Sequence, residues 1–170
     1  VRKTPPITDE TALYQAGVRI LARRAHSIHE MWQALGRKCP DEETVGNVIA
    51  RLRAMNYLDD ARYAKQFARV HAEMRKQGRF RIERELRQRG VADRHITAAL
   101  DEIFRDNDEG AAVRQRLERK LRLQRGPLDQ KKFASLYASL LRSGFSANVV
   151  HRELQGLRKR GYPLPETGEE

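Results

Sequence analysis

Adjacent carboxylates, scattered histidines and clustered arginines are the side chains in this sequence with chemistry to offer. Asp59 and Asp60 adjoin within the run Tyr57-Leu58-Asp59-Asp60. Two carboxylates can hold a metal or divide acid and base work, but successive residues on a helix do not face each other. The pair therefore reads as an acidic helix start that suits the helix dipole, with Leu58 as a hydrophobic staple. His26, His29, His71, His95 and His151 show no cysteine or carboxylate spacing that would hold zinc. The sequence has no Gly-x-x-x-x-Gly-Lys-Ser/Thr loop, no dinucleotide fingerprint and no plausible nucleophile triad. The expectation is a non-enzymatic protein without cofactor or metal.

Positive charge remains, and local ion pairing must be discounted before it is read as a site. Glu83–Arg87, Glu85–Arg89 and Glu118–Arg122 are Glu-first i,i+4 pairs, each worth roughly 0.2–0.5 kcal/mol to a helix. Arg79, Arg81 and Arg84 have no such partner, and Lys76 extends their patch. Farther on, Arg114, Arg116, Arg119, Lys120 and Arg125 are left over, joined by Lys131, Lys132 and the run Arg158-Lys159-Arg160. These side chains are the candidates for binding a polyanion. Phe80, between Arg79 and Arg81, reads first as packing at a helix start; stacking on a base, as single-strand binders do, is the alternative.

The elements that must carry these groups follow from apolar periodicity. Residues 1–8 form a flexible lead-in stopped by Pro5 and Pro6. A helix from about Asp9 to Arg24 buries Leu13, Ala16, Ile20 and Leu21. The capping box Ser27-x-x-Glu30 starts a second helix with Ile28, Met31, Trp32 and Leu35, broken at Cys39-Pro40. A third, from about Asp41 to Ala54, turns Val45, Val48, Ile49 and Leu52 inward. In the next unit Tyr63, Ala64, Phe67, Ala68, Val70 and Met74 make the buried stripe, Gly78 ends that helix, Gly90 stops the following one as a left-handed cap, and Asp93 caps a third. The last unit has Val113, Leu117 and Leu121, a break at Gly126-Pro127, a helix to Gly144, and a final helix capped by Ser146.

These units align. Met31, Ile82 and Leu136 stand four residues before Leu35, Leu86 and Leu140, and four residues further come Cys39, Gly90 and Gly144. Val45, Ile96 and Val150 follow, then Ile49, Leu100 and Leu154. Three copies in register predict tandem three-helix repeats over 9–57, 58–106 and 107–162, with a flexible tail over 163–170. The Cys39 turn is expected to differ from its glycine counterparts. Charged residues are 34% of the chain, against roughly 25% in an average globular protein, and the hydrophobic class is 39%. So thin a core fits an all-α, elongated, curved array better than a globule.

Net charge is +11 and unevenly placed: +1 over residues 1–60, +3 over 61–110 and +7 over 111–170. Such a gradient would attract a polyanion or an acidic protein surface. With no long apolar run, no apolar leader and a single Cys39, the expectation is a soluble, cytoplasmic protein that touches no membrane.

Tyr57-Leu58-Asp59-Asp60-x-Arg62-Tyr63-Ala64, followed by Gly78, Ile82, Glu85-Leu86 and Gly90-Val91, resembles the RecX family of bacterial recombination regulators. Leu21-Ala22-Arg23-Arg24 and Ser27 fit it too, and the resemblance spans roughly residues 10–162. Phe80, where relatives often have proline, and the Cys39-Pro40 turn depart from the pattern. The resemblance implies a protein that lodges in the groove of the RecA–single-stranded-DNA filament, mainly as an inhibitor, and suppresses ATP hydrolysis, strand exchange and SOS induction. Its partners would be that filament and, weakly or within it, single-stranded DNA; a monomer is expected.

Two other classes compete. A stand-alone basic nucleic-acid binder is motivated by the charge of the C-terminal section. A sequence-specific helix-turn-helix factor is disfavoured by bulky Leu86 and Leu140 at the helix approach and by Asp93, Asp101 and Glu102 on the helix that would enter the groove. Reversing Arg116, Arg119 and Lys120 to Glu is expected to weaken filament inhibition without loss of helix. Leu164-Pro165-Glu166-Thr167-Gly168 matches a sortase recognition pattern, but a wall-anchored protein would also need an export signal and an apolar tail, so the match reads as coincidence.

Overall fold

The computed structural model describes residues 6–105, 107–123 and 129–161, and among these there are nine helices and no strand. They are α1 (Glu10–Leu21), α2 (Ile28–Gly36), α3 (Glu42–Ala54), α4 (Asp60–Glu73), α5 (Arg79–Gln88), α6 (Asp93–Arg105), α7 (Glu109–Leu123), α8 (Gln130–Arg142) and α9 (Ala147–Lys159). Most start where a short polar side chain can take a free N–H. Asp9, Asp41, Asp129 and Ser146 cap α1, α3, α8 and α9, and Ser27 with Glu30 closes a full capping box on α2. Asp93 departs from expectation: it is the first residue of α6, and its Oδ1 takes the Arg87 Nε at 2.8 Å. The break at Gly126-Pro127 and the Leu164–Gly168 match lie outside the described residues.

The chain forms two compact units, and the middle repeat is shared between them. The first unit (residues 1–67 and 85–99) has a core of Leu13, Met31, Leu35, Val45, Val48, Ile49, Leu52 and Leu58. The second (68–84 and 100–170) has one of Val113, Leu117, Leu136, Leu140, Phe145, Val150, Leu154 and Leu157.

Three expectations need correction. Val70 and Met74 are exposed, Met74 to 79%. The buried line of α4 instead runs through Ala64, Ala68 and Ala72, with His71 buried beside it and its Nδ1 2.6 Å from Gln77 Oε1. Four-residue spacing selects small side chains here, where hydropathy alone selects the larger Val and Met. Trp32, expected inward on α2, is exposed and lies over Gly46 of α3. Gly78 does not end α4: that helix finishes at Glu73, and Lys76 adopts the left-handed conformation (φ 50°) while the Gln77 N–H returns to the His71 carbonyl at 3.0 Å.

The same joint is built once in each unit. In the first, Asp60 at the head of α4 accepts the N–H of Ile28 at the head of α2, 2.9 Å away. Ser27 Oγ donates to the Arg89 carbonyl at 2.5 Å, and Gly90 (φ 71°) lies so close to His29 that a Cβ would fall 2.4 Å from the His29 Cβ. In the second, Glu109 at the head of α7 accepts the N–H of Arg79 at the head of α5 at 3.0 Å. The Gly78 N–H donates to the Ser143 carbonyl at 2.9 Å and the Phe80 N–H to the Gly144 carbonyl at 3.1 Å. A Cβ on Gly144 (φ 89°) would fall 2.4 Å from the Arg81 nitrogen. Each joint thus caps one repeat's second helix with a carboxylate from the next repeat and docks the next repeat's glycine turn on it.

This accounts for Cys39. The Lys38 carbonyl corresponds to those of Arg89 and Ser143, but the N–H of Ile7 reaches it, at 2.8 Å. Ile7 packs against the first core, Cys39 is buried, and its turn needs no positive φ.

Candidate functional site

Arg116 organises the basic cluster of the second unit. It sits mid-way along α7, half-buried, with its ring-facing guanidinium 5.9 Å from the centre of Phe145. Nε donates to the Lys76 carbonyl at 3.1 Å, Nη2 to the Arg75 carbonyl at 3.0 Å and Nη1 to Ser143 Oγ at 2.9 Å. These acceptors are neutral oxygens, so the bonds hold the cation in place without cancelling its charge. Burial pushes the Arg116 pKa down, and the like charges of Arg119 and Arg81 push the same way. The three arginines therefore share one positive field.

Other candidates are tied up. Arg114 Nη1 lies 2.9 Å from both carboxylate oxygens of buried Glu153, and Nη2 lies 2.8 Å from Asp108 Oδ2. Glu153 and then Asp108 hold the Arg114 pKa above its ordinary value. Gly110 makes room for this arrangement, since a Cβ there would fall 2.5 Å from Glu153 Oε1. Arg79 pairs with Asp101 at 2.6 Å. Both arginines, unpaired by local spacing, are internal fasteners of the second unit. Lys132 lies 3.7 Å from Asp129, and Lys120 Nζ 2.7 Å from Ser139 Oγ.

Exposed charge is left at Lys76, Arg84, Arg119 and Lys131; Arg81 is half-buried and contributes to the field at Arg116. Arg75, absent from the sequence candidates, adds an exposed cation next to Lys76. Arg158, Lys159 and Arg160 close α9, where positive charge suits the helix C-terminus; Arg160 Nε also returns to the Gly156 carbonyl at 3.2 Å. Arg125 lies outside the described residues. Phe80 is 57% exposed, so packing at the helix start is not its role; its backbone makes the structural contact and its ring faces water.

In the first unit Glu30 is the charged hub. Arg89 Nη1 lies 2.6 Å from it and Arg24 Nη1 3.2 Å; the Ser27 N–H (3.1 Å) and the Tyr63 hydroxyl (3.3 Å) donate to Oε2. Arg89 also covers the Phe67 ring at 4.9 Å. Burial pushes the Glu30 carboxyl up, but Arg24, the Ser27 N–H and Arg89 outweigh it and hold the pKa below the ordinary value. The motif Asp59-Asp60 resolves into two caps: Asp59 Oδ1 takes the Arg62 N–H at 3.0 Å on α4, and Asp60 caps α2. Sequence spacing could show the first; nothing local signals the second. Among the described residues no group of three or more His, Cys, Asp or Glu side chains could hold a metal, and no helix is long and apolar enough to cross a membrane.

Residues 14–52 match the first three-helix domain of RecX, and residues 59–100 match its second three-helix domain. The regulatory protein RecX of Halorhodospira halophila is 37% identical over 140 residues, covering 82% of this chain and 84% of that one. That of Vibrio campbellii is 35% identical over 136 residues, covering 80% and 85%. The crystal structure of RecX from Lactobacillus salivarius superposes with a TM-score of 0.69 at 20% identity, over 88% of this chain and 97% of that one, and so shares the fold. By these similarities, the chain belongs to the RecX family of regulatory proteins.

Proposed function

We propose that this protein modulates RecA, mainly as an inhibitor, by binding in the groove of the RecA–single-stranded-DNA filament and suppressing ATP hydrolysis, strand exchange and SOS induction. Family membership supports the regulatory part of this reading. The observation that carries the rest is the state of Arg116. Its guanidinium is fixed by neutral oxygens and shares a field with Arg119 and Arg81, so the second unit keeps a charged surface poised for phosphate or carboxylate. Arg84, Arg119, Lys76 and Lys131 are the residues assigned to the contact; Arg79 and Arg114 support it from inside. The protein acts as a cytoplasmic monomer.

The test is filament ATPase measured beside binding to bare single-stranded DNA across a salt series. Inhibition at protein concentrations well below those that saturate bare DNA is expected. Inhibition that only tracks occupancy of bare DNA would show a stand-alone nucleic-acid binder instead.

A further inference from the structure

The second unit fastens the backbone of Phe80 and leaves its ring in water. The N–H groups of Gly78, Arg79 and Phe80 are taken in turn by the Ser143 carbonyl (2.9 Å), Glu109 Oε1 (3.0 Å) and the Gly144 carbonyl (3.1 Å). The head of α5 is thus tied to the third repeat at three successive residues. Phe80 nevertheless stays 57% exposed, while Ile82 and Leu86 of the same helix are buried. A single exposed apolar side chain needs no explanation by itself. Its surroundings supply one.

Cations converge on the turn that holds it. Ser143–Gly144 receives the Gly78 and Phe80 N–H groups and packs against Arg81, whose Cβ would lie 2.4 Å from a Cβ on Gly144. The Ser143 hydroxyl also accepts from Arg116 at 2.9 Å. Arg84 is exposed one turn beyond Phe80, on the same face of α5. Residues 75–84 hold five Lys or Arg (Arg75, Lys76, Arg79, Arg81 and Arg84) and one carboxylate, half-buried Glu83. Of the five, Arg79 is offset by Asp101. The first N–H groups of α5 are already bonded, so an anion here would be met by side chains rather than by the helix terminus. A flat ring with guanidinium groups beside it is what binds a single strand: the cations follow phosphate and the ring takes a base. The neighbours of Phe80 along α5, Arg79, Arg81, Glu83 and Arg84, are all charged, which suits a base and its phosphates better than an apolar protein anchor.

We propose that Phe80 is a stacking platform for one unpaired nucleobase of single-stranded DNA, with Arg81 and Arg84 meeting the adjoining phosphates. The inference rests on the RecA–single-stranded-DNA reading and adds what phosphate contact lacks. Bases in a duplex have both faces covered by their neighbours, so a stacking ring prefers one strand to two, with little preference of sequence.

The experiment measures low-salt binding of the full-length chain to oligothymidylate, to an abasic strand of the same length and to duplex DNA. Wild type is compared with Phe80→Ala, Phe80→Leu and Phe80→Trp. Phe80→Ala is expected to bind oligothymidylate at least about fivefold more weakly, and the abasic strand and duplex as wild type does. Phe80→Leu, apolar without a π-face, should behave like Phe80→Ala, and Phe80→Trp should bind at least as tightly as wild type. With Trp32→Phe removing the chain's other indole, the fluorescence of Phe80→Trp should be quenched by oligothymidylate and not by the abasic strand. Equal oligothymidylate affinity for wild type and Phe80→Ala, an equal loss on the abasic strand, or full affinity for Phe80→Leu would overturn the stack. So would a wild type that does not bind the bare strand. Weaker filament inhibition by Phe80→Ala at unchanged oligothymidylate affinity would place the ring against RecA itself and overturn it too. Filament ATPase separates the two readings: a wild type without effect on the filament would overturn the RecA reading, while the stack stands or falls by the oligonucleotides.

Discussion

Glu30 shows how a single side chain can serve three purposes: it closes a capping box, accepts Arg24 and Arg89, and receives the Tyr63 hydroxyl. Its folded pKa lies below the ordinary 4.5, so the ionised form favours the fold. The contribution is fully present above pH 4.5 and is lost as pH falls through the lower folded value. Glu30→Gln should therefore lose about 1 kcal/mol near neutrality, and the gap to wild type should close in acid; denaturant midpoints over a pH series would show it. Capping boxes are local, and Ser27-x-x-Glu30 was legible in the sequence. Arg89 was not, because its partner stands 59 residues away while a suitable glutamate, Glu85, stands four residues before it. Arg79 and Arg114 were read as unpaired for the same reason: Asp101 lies 22 residues from Arg79, and Glu153 and Asp108 lie 39 and 6 residues from Arg114, outside the i,i+4 spacing applied.

Helices were easier to read than the contacts between them. Apolar period and cap residues located the nine segments, the left-handed turn at Gly90 was expected, and the helix end at Gly144 was placed without its left-handed conformation. What such patterns do not contain is the reason a glycine is required. At Gly144 both causes act, positive φ and a neighbour's backbone; at Gly161 (φ 83°) nothing lies within 4 Å of a Cβ. Gly161→Ala should cost about 1 kcal/mol for the left-handed conformation alone. Gly144→Ala should cost more, at least about 2 kcal/mol, because the turn must also lift off α5. Equal losses in chemical unfolding would show that the docked turn gives way freely. At the end of α4 the opposite substitution applies. Lys76 holds a left-handed conformation with its side chain in water, so Lys76→Gly should raise stability by up to about 1 kcal/mol. An unchanged melting temperature would mean that the turn costs nothing as it stands.

For the molecule as a whole, the charge of +11 overstates the surface offered to a partner, since Arg79, Arg89 and Arg114 are spent on internal carboxylates. Reversing Arg116 along with its neighbours would mix two effects. Arg116→Glu removes three hydrogen bonds and sets a carboxylate against carbonyl oxygens, so it should lower the unfolding temperature. Arg84→Glu with Arg119→Glu keeps those bonds and should leave the unfolding temperature within a few degrees while weakening filament inhibition tenfold or more, with a shallower salt dependence. Full inhibition by that pair would remove this surface from the contact. The repeated joint has a further consequence for inheritance. Damage at one position should be repaired at another more than a full repeat away: 62 residues separate Ser27 from Arg89, and 65 separate Gly78 from Ser143. Suppressor mutations of a bulky residue at Gly144 should arise around Gly78–Arg81, and lineages should exchange such residues in couples, each half of a couple belonging to a different copy of the ancestral module.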